Sequence, residues 1–548
     1  MKEIYLSTIS SMVKVLRDKP LTAFPELKGS ALKNEGYTFQ VVAKSEEEIN
    51  GCSIKFGGKL SKYCKAYPIT DMPSEQSLDK NCDDYVLCSS DNCYPELCEE
   101  ENKFVLKAKE YKGILVEVKG NLPSGKYKIP VTLLCNGEEI ASCTYTLTVI
   151  PQELPKMEMP ITHWFHCDCI AELHDVEIFS KEWYEIAGEY VKAYVEMGNT
   201  MLLIPTVTPA LDTEVGHERM TAQLVDITVK NGEYFFDFSA LDYFINFVTE
   251  KGIRYYEFAH LFTQWGAEFC PKIVATVDGE KKKIFGWENS SESEEYKAFL
   301  SAYLPALCTY IRQKGIAENS FLHLSDEPPE STQERYGRLY ALVKSLVGDL
   351  RTLDALSEFS FYEKGYVDVP VPITSTAKQF ADNNVYHLAY YCCWPCTGFE
   401  SNRFFIMPGE RTRVIGYQLY KNGANGFLQW GYNFYHGYRS LTIINPYEDT
   451  SANGKFNSGD SFIVYPDKER AGVKKSLRYF YMKEAFQDYR ALKLLETLCG
   501  KETAMAILSE YGVEKYHIYP HSSKLLKELR ETINETILQC VSATQSKK

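Results

Sequence analysis

The sequence has no apolar run of about 18 residues, the length that a membrane-spanning helix needs, so no transmembrane segment is predicted. Its N-terminus, MKEIYLSTISSMVKVLRDKP, lacks the long apolar core and the small-residue cleavage site of a secretory signal. We therefore expect a cytoplasmic protein, with export by a non-classical route as the alternative. No run of basic residues offsets the net charge of −14, which argues against nucleic acid as a partner because phosphates are also negative.

The cysteines, although there are 17 of them, form no familiar metal or redox motif. Cys82, Cys88, Cys93 and Cys98 are separated by five, four and four residues, which matches no common zinc pattern, and no paired histidine completes the set. We predict no metal and no other cofactor. Without a secretory signal, the cysteines are expected to be free thiols in a reducing compartment. The stretch CCWPC at 392–396 is interpreted as the end of a buried strand.

The composition that remains is that of a globular protein, with 45% hydrophobic and 24% charged residues. A chain of 548 residues exceeds one ordinary core, so several domains are expected. Residues 1–155 contain short alternating runs separated by turn residues, which predicts a β-sandwich. The stretch PQELPKMEMP at 151–160 carries three prolines and is interpreted as a linker. Residues 471–548 predict helices that pack on the domain before them.

Between residues 160 and 470, short apolar runs alternate with longer amphipathic ones, as in a parallel α/β sheet. Eight strands with interleaved helices predict a (β/α)8 barrel. An open doubly wound sheet is the alternative, although no Gly-rich phosphate loop supports its nucleotide-binding form. The predicted strands are 161–166, 200–205, 254–261, 320–327, 350–356, 368–373, 385–391 and 426–432. The predicted helices are 181–198, 238–252, 293–315, 331–348, 375–383 and 409–423.

Acidic, imidazole and aromatic side chains gather at the ends of these predicted strands. Because the active site of such a barrel lies at the carboxyl ends of its strands, we expect them to meet at one rim. Each one alone is compatible with a structural role, so the prediction depends on their convergence. The candidate residues are His163, Trp164, His166, Asp168, Glu257, His260, Asp326, Glu327, Tyr390, Tyr391, Trp394, Trp430 and Asn433.

Asp326 and Glu327 stand side by side where the fourth strand ends, in the sequence SDEPP. Neighbours on a strand point to opposite sides, so the pair suits poorly a mechanism with two carboxylates on opposite faces of a glycosidic bond. It better suits substrate-assisted hydrolysis, in which a 2-acetamido oxygen attacks the anomeric carbon, Glu327 is the acid/base and Asp326 orients the acetamide. Repulsion within the pair would raise one pKa and help to keep Glu327 protonated. The alternative is that both acids only cap a helix after Pro328.

Six segments resemble glycoside hydrolase family 123, the β-N-acetylgalactosaminidases, and related bacterial proteins, over most of the chain. The most specific feature is SDEP followed in order by QWGYN and IVYP. The segments are HWFHCD (163–168), HLSDEP (323–328), YYCCWPC (390–396) with Asn402 following, GANGFLQWGYN (423–433), GDSFIVYP (459–466) and SLRYFYMKEAFQDYRAL (476–492).

This resemblance implies a retaining exo-β-N-acetylgalactosaminidase whose partner is a glycan with terminal β-linked GalNAc, such as a glycosphingolipid oligosaccharide. It implies Glu327 as general acid/base and Asp326 as the residue that orients the acetamide. It also implies a tyrosine hydroxyl on the acetamide oxygen, from Tyr390 or Tyr391. The other implied sugar contacts are walls from Trp394 and Trp430 and hydroxyl partners from His163, His166, His260 and Asn433.

Two other hypotheses stay open. One is a conventional glycosidase with Glu327 as acid and a distant carboxylate, Asp168 or Glu257, as nucleophile. The other is a carbohydrate-binding protein without catalytic activity. A metal-dependent hydrolase is less favoured, because His163 and His166 have no third ligand placed by spacing.

Overall fold

The computed structural model describes residues 4–74 and 82–545. Its N-terminal part forms two five-stranded sheets. The strands are β1 (Ile4–Ile9), β2 (Lys28–Leu32), β3 (Tyr37–Ser45), β4 (Ile49–Phe56), β5 (Cys64–Pro73), β6 (Cys93–Cys98), β7 (Phe104–Leu106), β8 (Tyr111–Val118), β9 (Gly125–Cys135) and β10 (Glu138–Ile150). One sheet has the order β1-β3-β8-β5-β6, and the other has the order β2-β10-β9-β4-β7.

These two sheets bury one common apolar core. Val41 and Val116 of the first sheet and Ile129 and Leu147 of the second belong to the same buried cluster. Alternating side chains of a strand point to opposite faces, so each sheet turns one apolar face towards the other. The β-sandwich and its boundary at residue 155 stay predictions.

The rest of the chain alternates between strands and helices. The strands are β11 (Ile161–His163), β12 (Met201–Ile204), β13 (Asp226–Lys230), β14 (Glu233–Asp237), β15 (Tyr255–Phe258), β16 (Ile273–Val277), β17 (Glu280–Phe285), β18 (Ser320–His323), β19 (Arg351–Ala355), β20 (Val369–Val371), β21 (Ala389–Tyr390), β22 (Phe427–Gln429), β23 (Val464–Asp467) and β24 (Gly472–Lys475). The helices are α1 (Cys167–His174), α2 (Lys181–Met197), α3 (Ser239–Glu250), α4 (Glu294–Gln313), α5 (Gln333–Val347), α6 (Phe359–Glu363), α7 (Thr374–Asp382), α8 (Gly409–Arg413), α9 (Ile415–Lys421), α10 (Leu477–Cys499), α11 (Lys501–Glu510) and α12 (Ser523–Gln545).

A strand lies within each of the eight segments predicted for the barrel, although each strand is shorter than its prediction. Five of them form a parallel sheet in the order β12-β15-β18-β19-β20, and three form a second parallel sheet in the order β11-β22-β21. The protein is therefore a mixed α/β protein with a half-barrel sheet, and the closed (β/α)8 barrel is not confirmed. All four residues of β12 and of β18 are buried, as expected of parallel strands covered on both faces.

A four-stranded sheet with the order β14-β13-β16-β17 was not predicted. Its strands lie in the two connections that follow β12 and β15. Strand β17 reads EKKKIF and is largely exposed, so it gives no apolar signal in the sequence. The sheet lengthens the connections at the carboxyl ends of β12 and β15.

Helix α10 connects the N-terminal sheets to the α/β part. Every residue from 477 to 488 is buried, so its polar side chains must be paired. Arg478 Nη2 lies 2.6 Å from Glu96 Oε1, and Lys483 Nζ lies 2.7 Å from Glu117 Oε1. Glu96 and Glu117 belong to β6 and β8, so the two parts of the chain share buried ion pairs.

Cys499 at the end of α10 forms a disulfide with Cys540 in α12. The expectation of free thiols throughout is therefore wrong for these two residues. Packing of α12 against α10 brings their Cα atoms within 6.7 Å although 41 positions separate them in sequence, and spacing alone does not reveal such a pair. Among the described residues, no helix combines the length and the apolar character of a membrane span.

Candidate active site

The acid pair follows β18 and lies above the half-barrel sheet. The Glu327 N–H donates to the carbonyl oxygen of Ala355 at 2.8 Å, and the φ of Glu327 is +46°. Helix α5 begins only at Gln333, after a single 3-10 turn, and its N-cap is Thr332. The alternative that Asp326 and Glu327 cap a helix is therefore wrong, and the left-handed φ of Glu327 marks local backbone strain.

Tyr390 is the side chain that reaches the acid pair from a neighbouring strand. Its Oη donates to Glu327 Oε1 at 2.6 Å, and the residue is 5% exposed. Tyr391 points to the other side of β21, as alternation requires, and its hydroxyl donates to Met482 Sδ at 3.4 Å inside the helix layer. The structure thus brings one member of the predicted tyrosine pair to Glu327 and takes the other away.

Asp326 is the more deeply buried of the two acids, at 9% exposed. Burial raises the pKa of Asp326 well above its usual range, and the negative charge of Glu327 raises it further. Repulsion within the pair was predicted to raise one of the two pKa values. The pKa that is raised is that of Asp326. The backbone carbonyl of Asp326 accepts the Trp265 N–H at 2.7 Å.

A buried charged network lies directly beneath the acids. His323 Nδ1 lies 2.6 Å from Glu257 Oε1, and His323 Nε2 lies 3.7 Å from Asp354 Oδ1. Burial alone would lower the pKa of His323, but Asp354 and Glu257 raise it to about 10. Asp354 Oδ2 also accepts the Ser325 N–H at 3.0 Å. His323 is thus an imidazolium between two carboxylates, and Asp354 fixes the backbone one residue before the acid pair.

Trp164 and His260 complete this layer. The Trp164 indole N–H donates to Glu257 Oε1 at 2.9 Å, and the His260 ring stacks on the His323 ring at 3.8 Å between centroids. Burial lowers the pKa of His260 well below its usual value, so the ring is neutral. Within the described residues neither ring nitrogen of His260 has a hydrogen-bond partner, and the ring is fully buried.

His166 and Asn433 hold the ends of β11 and β22 together. Asn433 Oδ1 accepts the His166 backbone N–H at 2.9 Å, and its Nδ2 donates to the His166 carbonyl oxygen at 3.0 Å. His166 Nε2 lies 3.0 Å from the Trp430 carbonyl oxygen. The side chains of His166 and Asn433, which were predicted to contact sugar hydroxyls, therefore contact the protein backbone, and His166 contacts the carbonyl oxygen of Trp430.

Asp168 lies in a buried ion pair instead of facing a cleft. Arg219 Nε and Nη2 donate to its two carboxylate oxygens at 2.8 Å each. Burial would raise the pKa of Asp168, but the positive charge of Arg219 holds it below its usual value. The remaining histidine, His163, is fully buried, and its Nδ1 lies 2.8 Å from Asn199 Oδ1. It packs on the rings of Phe427 in β22 and Phe486 in α10. No described hydrogen bond joins it to the acid pair.

The two predicted tryptophan walls differ in exposure. Trp394 is 44% exposed, and Asn402 Nδ2 supports its loop by donating to the carbonyl oxygens of Cys392 and Pro395, each at 2.9 Å. Trp430 is half-buried, and its indole N–H donates to Asp460 Oδ2 at 3.1 Å. Burial raises the pKa of Asp460 to about 7. Trp430 is thereby fixed in orientation.

Trp265 is a candidate that the sequence analysis missed. It follows β15, is 39% exposed, and has a φ of +64°. The Arg439 guanidinium lies 5.4 Å from its ring centroid. The sequence does carry a signal, since Gln264-Trp265-Gly266 repeats the Gln-Trp-Gly of 429–431. The backbone N–H of Trp265 donates to the carbonyl oxygen of Asp326, so a residue with an exposed aromatic ring lies next to the acid pair along the backbone.

In the described part of the chain, one group of metal-binding side chain types is close enough to hold an ion. It comprises Cys169, Glu172 and His436 and includes neither Asp326 nor Glu327. The acid pair is thus arranged for acid–base chemistry with aromatic and polar neighbours, which is the kind of site that hydrolyses glycans.

Comparison with known families agrees with this class. The model of the glycoside hydrolase 123 catalytic domain matches residues 164–495. The chain therefore belongs to glycoside hydrolase family 123, and its substrate is a glycan. No curated protein matches this chain.

Comparison with solved structures gave matches of different quality, and the first has a similar fold. A family 123 glycoside hydrolase from Clostridium perfringens matches 99% of this chain and 98% of its own, with 14% identity and a TM-score of 0.73. A family 39 glycoside hydrolase from Bacteroides cellulosilyticus matches 86% of this chain and 82% of its own, with 11% identity and a TM-score of 0.34. A family 5 mannosidase from Rhizomucor miehei matches 67% and 97%, with 11% identity and a TM-score of 0.34.

Proposed function

We propose that the protein is a retaining exo-β-N-acetylgalactosaminidase that uses the 2-acetamido group of its substrate as the nucleophile. Glu327 protonates the leaving oxygen and then activates water, while Asp326 orients the acetamide N–H and stabilises the positive oxazolinium intermediate. Tyr390 donates its hydroxyl hydrogen bond to the acetamide carbonyl oxygen. Family-level resemblance suggests these roles, and the contacts of the three side chains are compatible with them.

This proposal rests on the burial and the hydrogen-bond partners of the two distant carboxylates, Asp168 and Glu257. A conventional retaining enzyme needs a second carboxylate that can reach the anomeric carbon. Asp168 is 3% exposed and forms a bidentate pair with Arg219, and Glu257 is 0% exposed and bonds to Trp164 and His323. Neither of these acids is free to attack, which favours a nucleophile that belongs to the substrate.

Protonation of the acid pair fits this sequence of events. In the free enzyme, burial and Glu327 favour a proton on Asp326, as its raised pKa indicates. A bound acetamide N–H and the developing positive charge both stabilise the Asp326 anion. General acid catalysis requires that the shared proton lie on Glu327 when the glycosidic bond breaks.

The similar structure supports a proposal for the class of glycan. The study of the Clostridium perfringens enzyme describes glycolipid glycan hydrolysis. We infer that this chain acts on a related class, a terminal β-GalNAc on a glycosphingolipid-type glycan. A cytoplasmic location stays a prediction.

We also infer that the sheets of five and three strands are two arcs of one (β/α)8 barrel. One buried cluster contains Leu203 of β12, Phe321 of β18, Val371 of β20, Tyr390 of β21 and Leu428 of β22. A cluster shared by both sheets is what the filled interior of a small barrel requires. A single bridge between Ile373 and Tyr390 joins the second arc to the first.

Hydrolysis of an aryl β-N-acetylgalactosaminide by the wild type, Asp326→Asn and Glu327→Gln tests the proposal. The aryl β-galactoside and β-N-acetylglucosaminide serve as substrate controls, and Glu330→Gln, an exposed acid three residues on, serves as the variant control. We expect cleavage of the GalNAc substrate, unchanged in Glu330→Gln and lowered at least about 100-fold in kcat in both acid variants. Proton NMR of the first product should show the β anomer.

Other outcomes identify the rival hypotheses. Cleavage of the plain galactoside that survives in Asp326→Asn would establish a second carboxylate and overturn the substrate-assisted mechanism. Binding of GalNAc without turnover of any of the three substrates would indicate a carbohydrate-binding protein.

A further inference from the structure

A second cluster of reactive side chains lies outside the acid pair, where α1 meets the segment that follows β22. Cys169 and Glu172 are three residues apart on α1, so they share one face of the helix. His436 comes from the later segment. The Sγ of Cys169, a carboxylate oxygen of Glu172 and a ring nitrogen of His436 all lie within 4.8 Å of one another.

Polar atoms of Glu172 and His436 are buried without a hydrogen bond of ordinary geometry. His436 is 3% exposed, and its Nε2 lies 2.8 Å from Glu172 Oε2. Among the residues that the structure describes, neither of these atoms nor His436 Nδ1 has a hydrogen bond of acceptable geometry. Buried polar atoms are usually satisfied, so two such atoms that converge without a hydrogen bond indicate a shared third partner.

The Sγ of Cys169 is held in position by neighbouring donors. It accepts the Tyr435 backbone N–H at 3.4 Å and lies 3.9 Å from Arg219 Nη2. Burial and then the negative charge of Asp168 raise the pKa of the Cys169 thiol well above its usual value, so a metal ion that binds here must displace the thiol proton as the metal–sulfur bond forms. The charge of Arg219 is itself matched by Asp168, so the cluster keeps two potential negative charges, on Cys169 and Glu172, for a cation.

We propose that Cys169, Glu172 and His436 bind one Zn2+ ion, with water as a fourth ligand. A thiolate, an imidazole and a carboxylate are the donor types that zinc accepts in tetrahedral sites, at about 2.0–2.3 Å. Such bonds place ligand atoms about 3.5 Å apart, so the cluster needs only small side-chain adjustments. Magnesium and calcium are disfavoured because they require oxygen ligands.

The role of this ion is structural, because the site contains neither Asp326 nor Glu327. It would connect α1 to the segment after β22, just beyond the hydrogen bonds between His166 and Asn433 in both segments. The ion would thereby stiffen the support of Trp430. The inference does not depend on the proposed substrate or mechanism.

The test measures metal bound to the full-length protein, purified in reductant and loaded with Zn2+ or Co2+ before desalting. The wild type should retain about one zinc per chain, and its cobalt form should show the near-ultraviolet absorption of a cobalt–thiolate bond. Cys167→Ser is the matched control, because Cys167 is a buried cysteine of the same helix outside the cluster. It should keep both signals, whereas Cys169→Ser and His436→Gln should lose them.

A further variant guards against loss of signal through misfolding. Glu172→Gln changes a partly exposed side chain without changing its size and should weaken zinc binding at least about tenfold with the fold intact by circular dichroism. Zinc should also raise Tm in the wild type but not in Glu172→Gln. A wild type that retains no metal after desalting, or a Cys169→Ser variant that retains as much as the wild type, would overturn the proposal.

Discussion

At the scale of the residue, Tyr390 is the side chain whose assignment matters most. It donates to Glu327 in the free protein and is proposed to donate to the acetamide oxygen when substrate is bound. We expect Tyr390→Phe to lower kcat for an aryl β-N-acetylgalactosaminide about 100-fold, since one preorganised donor to a charged transition state contributes this much. Steady-state kinetics would measure the change.

Tyr391→Phe is the matched control, because its hydroxyl contacts only Met482 in the helix layer among the hydrogen bonds described. It should retain kcat within about threefold. Equal losses in the two variants would show that hydroxyl loss acts through stability, and would remove Tyr390 from the proposed mechanism.

His323 should make the stability of the protein depend on pH. Its pKa in the folded protein is about 10, above the value of about 6.5 in an unfolded chain. Its contribution is therefore complete below about pH 6.5 and is lost as pH rises through about 10. We expect the free energy of unfolding to fall across this window, and to fall less in His323→Gln, when urea unfolding is followed at about pH 6, 8 and 10.

His323→Gln should itself lower the free energy of unfolding by about 3 kcal/mol, because it leaves buried carboxylates without their cation. His517→Gln, at a half-exposed histidine, is the control and should reproduce the wild-type pH profile. An unchanged pH profile in His323→Gln would contradict an imidazolium at this position.

At the scale of the element, the strands were predictable and the directions of their side chains were not. A short apolar run such as TMLLIP identifies a buried strand, and all eight such runs contain one. Two-residue strand β21 is too short to show which of Tyr390 and Tyr391 faces the site. The packing of Tyr391 beside Met482, which lies 91 positions later in the chain, decides it, and no local pattern contains this information.

Several residues around the site were placed wrongly by sequence reasoning. SDEPP has the composition of a helix start, yet a 3-10 turn separates it from α5. Asp168 and Glu257 come near the ends of predicted strands like catalytic acids, but they lie in α1 and β15, and only tertiary structure reveals their partners Arg219 and His323. The position of a residue along a strand therefore predicts where its side chain lies. Its ion-pair partners decide whether the side chain can take part in catalysis.

Trp265 belongs to the connection after β15 and should contact the part of the glycan beyond the terminal sugar. Its ring is exposed, and its backbone N–H donates to the carbonyl oxygen of Asp326. We expect Trp265→Ala to raise KM for an oligosaccharide about tenfold, as loss of an aromatic stacking surface does, and to change KM for the aryl monosaccharide much less. Comparison of the two substrates measures this.

Tyr243→Ala is the control for Trp265, since Tyr243 is an exposed aromatic residue on α3, at 58%. It should change neither KM. A rise in KM for both substrates in Trp265→Ala would instead assign this ring to the terminal sugar.

At the scale of the whole molecule, the N-terminal sheets and the α/β part should unfold together. Arg478 and Glu96 form an ion pair in which both side chains are fully buried. We expect Glu96→Gln to lower the free energy of unfolding by about 3 kcal/mol, because a buried guanidinium loses its counter-charge. Denaturant unfolding followed by both tryptophan fluorescence and circular dichroism should show one shared transition.

Glu139→Gln, at an exposed acid of β10, should leave this transition unchanged. If Glu96→Gln separated the unfolding into two steps, the buried pair would be the connection that makes the two parts cooperative. If it had no effect, the α10 interface would depend on apolar packing alone.

The left-handed backbone conformation of Glu327 implies a trade-off between thermal stability and activity. A side chain at a φ of +46° costs about 1 kcal/mol that glycine would not incur. A Glu327→Gly variant should therefore have no activity and yet resist heat better than Glu327→Gln. If Glu327 is the acid of the proposed mechanism, the protein needs a carboxyl group at the one position where glycine would relieve this backbone strain.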